Sequence, residues 1–268
     1  MTLDIYIVDA FTSAPLKGNQ AAVIALDDWF THETMLAIAQ ENNLSETAFI
    51  KELAPNQYAI RWFSPLTEID FCGHATLASS FVLFEQFGLK GTIEFVTMSV
   101  GSLFISQEHD GKIQMSFPNR KPQYVDIPPA LKDGLSIQPD KILRNEQAYF
   151  AVYTKREDVV SVTYDEEKLK SLYPYDVVVT STDTDYDFVS RYFWPANGGR
   201  EDPVTGSVHA GLAPYWAEIL GKDHLEAFQA SKRGGELTCL VENDRVYVSG
   251  YGCLYLEGKI HLPTELAS

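Results

Sequence analysis

Hydrophobic residues gather along this chain in short blocks bounded by Gly, Pro, Asn or Asp. Ile5 to Val8, Ala21 to Leu26, Thr47 to Lys51 and Gln57 to Phe63 are rich in β-branched and aromatic residues, which predicts strands. Between them, Thr31 to Glu41 carries Met35, Leu36, Ile38 and Ala39 on one stripe and then meets Asn42-Asn43. That is the pattern of an amphipathic helix with a stop. Ala75 to Phe87 differs: Leu77, Ala78, Phe81, Val82, Leu83, Phe84 and Phe87 point all round a helix, which predicts burial on every side. Further strands are predicted at Ile93 to Val96, Leu103 to Ser106 and Ile113 to Phe117.

The pattern then returns. Arg61-Trp62-Phe63-Ser64-Pro65 recurs as Arg191-Tyr192-Phe193-Trp194-Pro195, 130 residues on, and at that offset Glu46 meets Asp176. Beyond a loop the offset becomes 133, where Glu68 matches Glu201, Gly73 matches Gly206 and Gly88 matches Gly221. Lys112 to Ser116 likewise matches Arg245 to Ser249, and the all-round apolar segment has a counterpart at Val208 to Leu220. Collinear matches with one small insertion imply a duplicated unit of about 130 residues, too long for a solenoid repeat. The expectation is an α+β fold of two pseudo-symmetric domains, 1–118 and 119–268. Each would curl a barrel-like, mostly antiparallel sheet around a central buried helix. The linker falls in the Pro-rich stretch Phe117 to Pro129, and Cys253 to Leu262 either stays in the second domain or crosses back to the first.

Charge narrows the partners. Among 268 residues there are 21 basic and 37 acidic ones, a net charge of −16, so no basic face for nucleic acid or an anionic membrane is expected. The purest apolar run, Ala21 to Leu26, is far short of the ~20 residues that span a bilayer. The first residues lack the basic and apolar regions of a signal peptide, and Cys72, Cys239 and Cys253 cannot all pair; a cytoplasmic protein with reduced thiols is expected.

Candidate chemistry concentrates where the buried helices begin. Phe71-Cys72-Gly73-His74-Ala75-Thr76 and Val204-Thr205-Gly206-Ser207-Val208-His209 are small-residue turns. The first N–H groups of each helix have no internal partner and favour an anion. Two such turns facing a common cleft would hold a carboxylate or an enolate-like oxygen; alternatively Gly73 and Gly206 only fit tight turns. Acidic residues accompany them, Glu68 and Asp70 before the first and Glu201 and Asp202 before the second, in a chain where solvated carboxylates are common. His74, at a helix start, is expected to resist protonation and serve as a neutral donor or acid–base group, or else as a structural partner. Glu46, at the junction of the striped helix and an apolar strand, sits where a partly dehydrated carboxylate can take and return a proton, or where a strand-end Glu simply faces water. Lys17-Gly18-Asn19-Gln20 is a turn, or an amide aimed at a ligand. No dinucleotide fingerprint, phosphate loop, serine elbow or histidine metal spacing is present, so the expectation is a site without cofactor or metal.

Six segments occur together in family order: Asp9-Ala10-Phe11, Gly18 to Val23, Leu44-Ser45-Glu46-Thr47-Ala48-Phe49, Arg61 to Pro65, Phe71 to Leu77 and Glu201-Asp202-Pro203-Val204-Thr205-Gly206-Ser207. With them the chain resembles the PhzF-like phenazine biosynthesis isomerase family, of the diaminopimelate epimerase-like fold, over essentially its whole length. The resemblance implies cofactor-free isomerisation by proton transfer on a small carboxylate-bearing substrate such as trans-2,3-dihydro-3-hydroxyanthranilate. It gives the acid/base role to Glu46 and further site roles to Asn19, Ser45, His74, Asp202, Gly206 and Ser207; the N–H groups at Gly73 and Gly206 would hold the carboxylate. The epimerase branch places a thiol at each helix start; here Cys72 is matched by Thr205, so a two-thiol mechanism is not expected. An epimerase using one carboxylate and another base, or a non-catalytic binding protein, are the alternatives. Relatives are often dimers, and Tyr124, Val125, Ile127 and Leu131 would serve either a homodimer interface or the core.

Overall fold

The computed structural model describes residues 1–263. The chain separates into two units, one of Met1–Ser116 with the chain from Ser249 onward, the other of Phe117–Val248. The first contains β1 (Thr2–Ala10), β2 (Asn19–Ala25), α1 (His32–Asn42), β3 (Glu46–Ala54), β4 (Gln57–Phe63), β5 (Glu68–Ile69), α2 (Gly73–Phe81), β6 (Ile93–Val96), β7 (Ser102–Gln107) and β8 (Ile113–Pro118). The second contains β9 (Gln123–Tyr124), α3 (Pro129–Gly134), β10 (Lys141–Arg144), β11 (Ala148–Val152), α4 (Arg156–Ser161) and α5 (Glu166–Lys170). It continues through β12 (Asp176–Thr182), β13 (Phe188–Phe193), β14 (Glu201–Asp202), α6 (His209–Leu220), β15 (His224–Gln229) and β16 (Gly235–Glu242). β17 (Arg245–Gly250) leads out, and β18 (Gly252–His261) pairs antiparallel with β1, so this last strand lies in the first unit.

The repeat is a repeat of strand pairing. In the first unit β1–β2 is antiparallel, β2–β3 parallel, β3–β4 antiparallel, β4–β6 parallel and β6–β7 antiparallel. The second repeats the same alternation through β10–β11, β11–β12, β12–β13, β13–β15 and β15–β16. Each is a mixed, mostly antiparallel sheet with few helices, an α+β arrangement.

Local chemistry explains the elements. The hydroxyl of Thr31 caps α1 by accepting the N–H of Thr34, and Asn43 ends it in the left-handed conformation that Asn tolerates. The apolar stripe Met35, Ile38 and Ala39 packs on Ala22, Ile24, Phe49 and Phe63, the alternate residues of one sheet face. α2 packs against β1, β2 and β3 and is buried along its whole face-to-face circumference from Gly73 to Ser80. Its hydroxyls survive there because Thr76, Ser79 and Ser80 each donate to the carbonyl four residues back, at 2.6, 2.8 and 2.8 Å. The predicted helix to Phe87 changes character at Val82, where the turn widens and the N–H of Phe87 reaches Val82 O at 3.0 Å.

α6 contains Pro214, which has no N–H for the carbonyl of Ala210. The N–H of Arg120 donates to that carbonyl instead, at 3.0 Å, tying the start of the second unit to its central helix. Of the linker residues, Leu131 is fully buried and Val125 packs against its cluster, whereas Tyr124 and Ile127 are exposed. The duplicated Arg-Glu pairs are both made with two nitrogens. Arg61 meets Glu68 at 2.7 and 2.7 Å, and Arg191 meets Glu201 at 2.8 and 3.0 Å.

Candidate active site

In the first unit, the starts of two strands and one helix bring together five of the residues singled out from the sequence. β2 begins with Asn19, β3 begins with Glu46 just after Ser45, and α2 begins with Gly73 and His74. Nε2 of His74 lies 2.7 Å from Oε2 of Glu46, and Nδ1 lies 3.1 Å from Nδ2 of Asn19. Ser45 Oγ reaches Asn19 Oδ1 at the long limit of 3.5 Å. Asn19 and His74 are buried, Glu46 is partly so, and Ser45 is exposed. The group is therefore closed behind the histidine and open on the side of Glu46 and Ser45.

The expectation of a neutral, protonation-resistant His74 is corrected by this geometry. Burial alone disfavours the imidazolium, but Cys72 and Glu46 beside the ring outweigh it and hold His74 well above its ordinary value. Burial pushes the Cys72 thiol up to about 11. Asn19 suits both states of the ring. With Nδ2 turned to Nδ1 it donates to a neutral imidazole that carries its proton on Nε2; turned over, its carbonyl accepts from the imidazolium.

Cys72 is the neighbour that the sequence reading set aside, with Sγ 3.4 Å from Nδ1 of His74. Glu46, Cys72 and His74 each offer a ligand atom within 4.8 Å of the others.

In the second unit, Asp202 ends β14 while Gly206 and Ser207 form the turn before α6, which starts at His209 rather than at Val208. Asp202 Oδ2 accepts the hydroxyl of Thr205 at 2.5 Å. Two buried residues to which the sequence reading gave no role hold this loop, Gln229 and the His209 that closes the turn motif. Gln229 donates to Asp202 O at 2.8 Å and accepts the N–H of Thr205 at 2.9 Å. His209 donates from Nδ1 to Thr205 O at 2.8 Å, as Thr76 does to Cys72 O in the first unit. Thr205, at the register of Cys72, is thus engaged with Asp202.

The model of the PhzC-PhzF, phenazine biosynthesis-like protein family matches residues 8–258. The chain belongs to this family. It is 43% identical to an uncharacterized isomerase of Pseudomonas aeruginosa over 98% of this chain and 100% of the relative. It is 42% identical to an uncharacterized isomerase of Halalkalibacterium halodurans over the same shares. The crystal structure of a PhzF-family protein of Enterococcus faecalis superposes with a TM-score of 0.93 at 40% identity, covering 98% of this chain and all of the other. Full-length relatives named isomerases place this member of the PhzF-like family among the isomerases. Among the described residues, no helix is long and apolar enough to cross a membrane.

Proposed function

We propose that this PhzF-like protein isomerises a small carboxylate-bearing substrate by moving a proton between allylic carbons, with Glu46 as the acid/base. The observation that carries the reading is the 2.7 Å couple between Glu46 and a buried, proton-holding His74, backed by Asn19. Glu46 takes the proton from carbon as a carboxylate and returns it as a carboxylic acid. His74, in charge contact with one oxygen of Glu46, stabilises the charged form before and after transfer while the other oxygen works. Ser45 and the N–H groups at Gly73 bind polar groups of the substrate, and Asp202, Gly206 and Ser207 take the binding and orienting roles that the family pattern gives them. Side chains and backbone supply all of this chemistry.

A two-thiol racemase is disfavoured, because the Cys72 thiol is raised to about 11 and Thr205 donates to Asp202. The test is solvent deuterium exchange into trans-2,3-dihydro-3-hydroxyanthranilate, and into a panel of small amino and hydroxy acids, read by proton NMR for wild type and Glu46→Gln. Exchange that vanishes in Glu46→Gln supports the reading, and exchange with inversion at one carbon supports an epimerase. Binding without exchange across the panel would leave a non-catalytic binding protein.

A further inference from the structure

The second unit holds a hydrogen-bonded chain whose place is set by the duplication. Glu46 pairs across the sheet with Ala21, and Asp176 pairs in the same parallel register with Ala148. Asp176 is therefore the structural counterpart of Glu46, and Gln147, just before Ala148, is the counterpart of Gln20. The offset of 133 makes Ser207 the counterpart of His74. In the first unit the acid touches the helix-start residue directly. In the second, the shorter aspartate is joined to Ser207 through two intermediates.

The direction of each bond follows from the groups. Tyr192 OH lies 2.6 Å from Asp176 Oδ2, and Asn197 Nδ2 donates to the other oxygen at 2.8 Å. Burial first, and then the Asp176 charge, push Tyr192 well above its ordinary value, so its hydroxyl keeps its proton and donates it to Asp176. Gln147 Nε2 then donates one hydrogen to Tyr192 OH at 3.2 Å and the other to Ser207 Oγ at 3.0 Å. The Gln147 backbone is held on both sides: its N–H donates to Asn145 Oδ1 at 2.9 Å and its carbonyl accepts from Asp176 N at 3.2 Å.

We infer that Gln147 is a positioning residue that sets Ser207 as a hydrogen-bond donor to the ligand, so that the ligand atom facing Ser207 is an acceptor oxygen, as in a carboxylate or carbonyl. A serine hydroxyl has one hydrogen and two lone pairs. Gln147 occupies one lone pair, which turns the Ser207 hydrogen away from the glutamine and strengthens it as a donor by polarisation along the chain. The N-terminus of α6, which begins two residues after Ser207, favours negative charge nearby. This inference rests on the proposed function for the identity of Ser207 as a substrate-binding residue, but the bond polarity itself does not.

The experiment has one arm without ligand and one with it. In 15N-labelled protein, both side-chain amide protons of Gln147 are expected to be shifted and protected from exchange. Ser207→Ala should release one and Tyr192→Phe the other. Two amide resonances at the ordinary positions of a solvated glutamine, both exchanging fast with solvent, would overturn the donor assignment whatever the activity. In the second arm, the substrate found by the exchange panel is assayed with Gln147→Met, which removes both donors, and Gln147→Glu, which turns the Ser207 hydrogen inward. KM is expected to rise by roughly tenfold in Gln147→Glu and less in Gln147→Met, with kcat within about twofold. An equal fall in kcat with KM unchanged in both variants would overturn the positioning role. If no panel member binds wild type, the proposed function fails while the first arm still decides the polarity of the chain.

Discussion

Nε2 of His74 stands 2.7 Å from Oε2 of Glu46, although the two residues come from a helix start and a strand start 28 positions apart in sequence. Burial works against a charged imidazole here, and Cys72 and Glu46 beside the ring together outweigh it. The His74 ring is therefore expected to hold its proton well past its ordinary range. Glu46→Gln should bring its titration down, because burial, the largest influence, then acts with less opposition. Ring-carbon NMR across pH 5 to 10 checks this; unchanged titration in the variant would sever the couple. A folded-state value above the unfolded one means the stabilisation is complete below about pH 6.5 and is lost as pH rises through the raised value.

His209 behaves in the opposite sense. Burial depresses it to about 4, against a weaker opposing bond to Thr205 O. The unfolded chain then binds the extra proton between about pH 6.5 and 4, so stability falls as pH drops through that window, by about 3 kcal/mol. Urea unfolding of wild type and His209→Gln at a series of pH values measures it. The slope should be smaller in the variant by about one proton.

Gly18 has φ +62°, and a Cβ there would lie 2.1 Å from the carbonyl oxygen of Ala10. Gly18→Ala must therefore displace the backbone of β1 or β2, and with it the adjacent Asn19 that meets His74. A stability loss of about 2 kcal/mol or more is expected, together with a loss of activity. Gly88→Ala is the control, since Gly88 has φ +73° but nothing within 4 Å of its Cβ position. It should cost about 1 kcal/mol in thermal unfolding and leave activity intact.

The two Arg-Glu pairs are alike in sequence but not in surroundings. Arg191 Nη1 also donates to the carbonyls of Val159, Val160 and Val162, at 3.2, 3.1 and 2.9 Å. Arg191→Met leaves Glu201 and the end of α4 unpartnered at once, so it should cost about 3–5 kcal/mol, and Arg61→Met less. Equal midpoints in denaturant for the two variants would contradict this.

Much of the fold was legible because its signals are local or repeated. The strands at Gln57–Phe63 and Ile93–Val96 stand where the β-rich blocks put them, and α1 is bounded by the Thr31 cap and the Asn43 stop. The match of Glu46 with Asp176 was also visible. What it meant was not, because a shared offset says nothing about whether a side chain reaches its neighbour. Gln229 carried no signal, and His209 stood in the singled-out turn without a role: a lone glutamine at a strand end and a histidine entering an apolar helix show their purpose only when both are found holding Thr205.

The sequence by itself determined the duplication, the α+β class, the two all-round apolar helices and the family, since these depend on periodicity, residue type and order. The tertiary structure decided that the last strand pairs with β1, that His74 is a proton-holding partner of Glu46 rather than a neutral group, and that Ser207 receives a bond from Gln147. Each of those depends on distances of about 3 Å between residues far apart in the chain, and both hydrogen bonding and Coulomb interaction in a buried site change steeply over such distances.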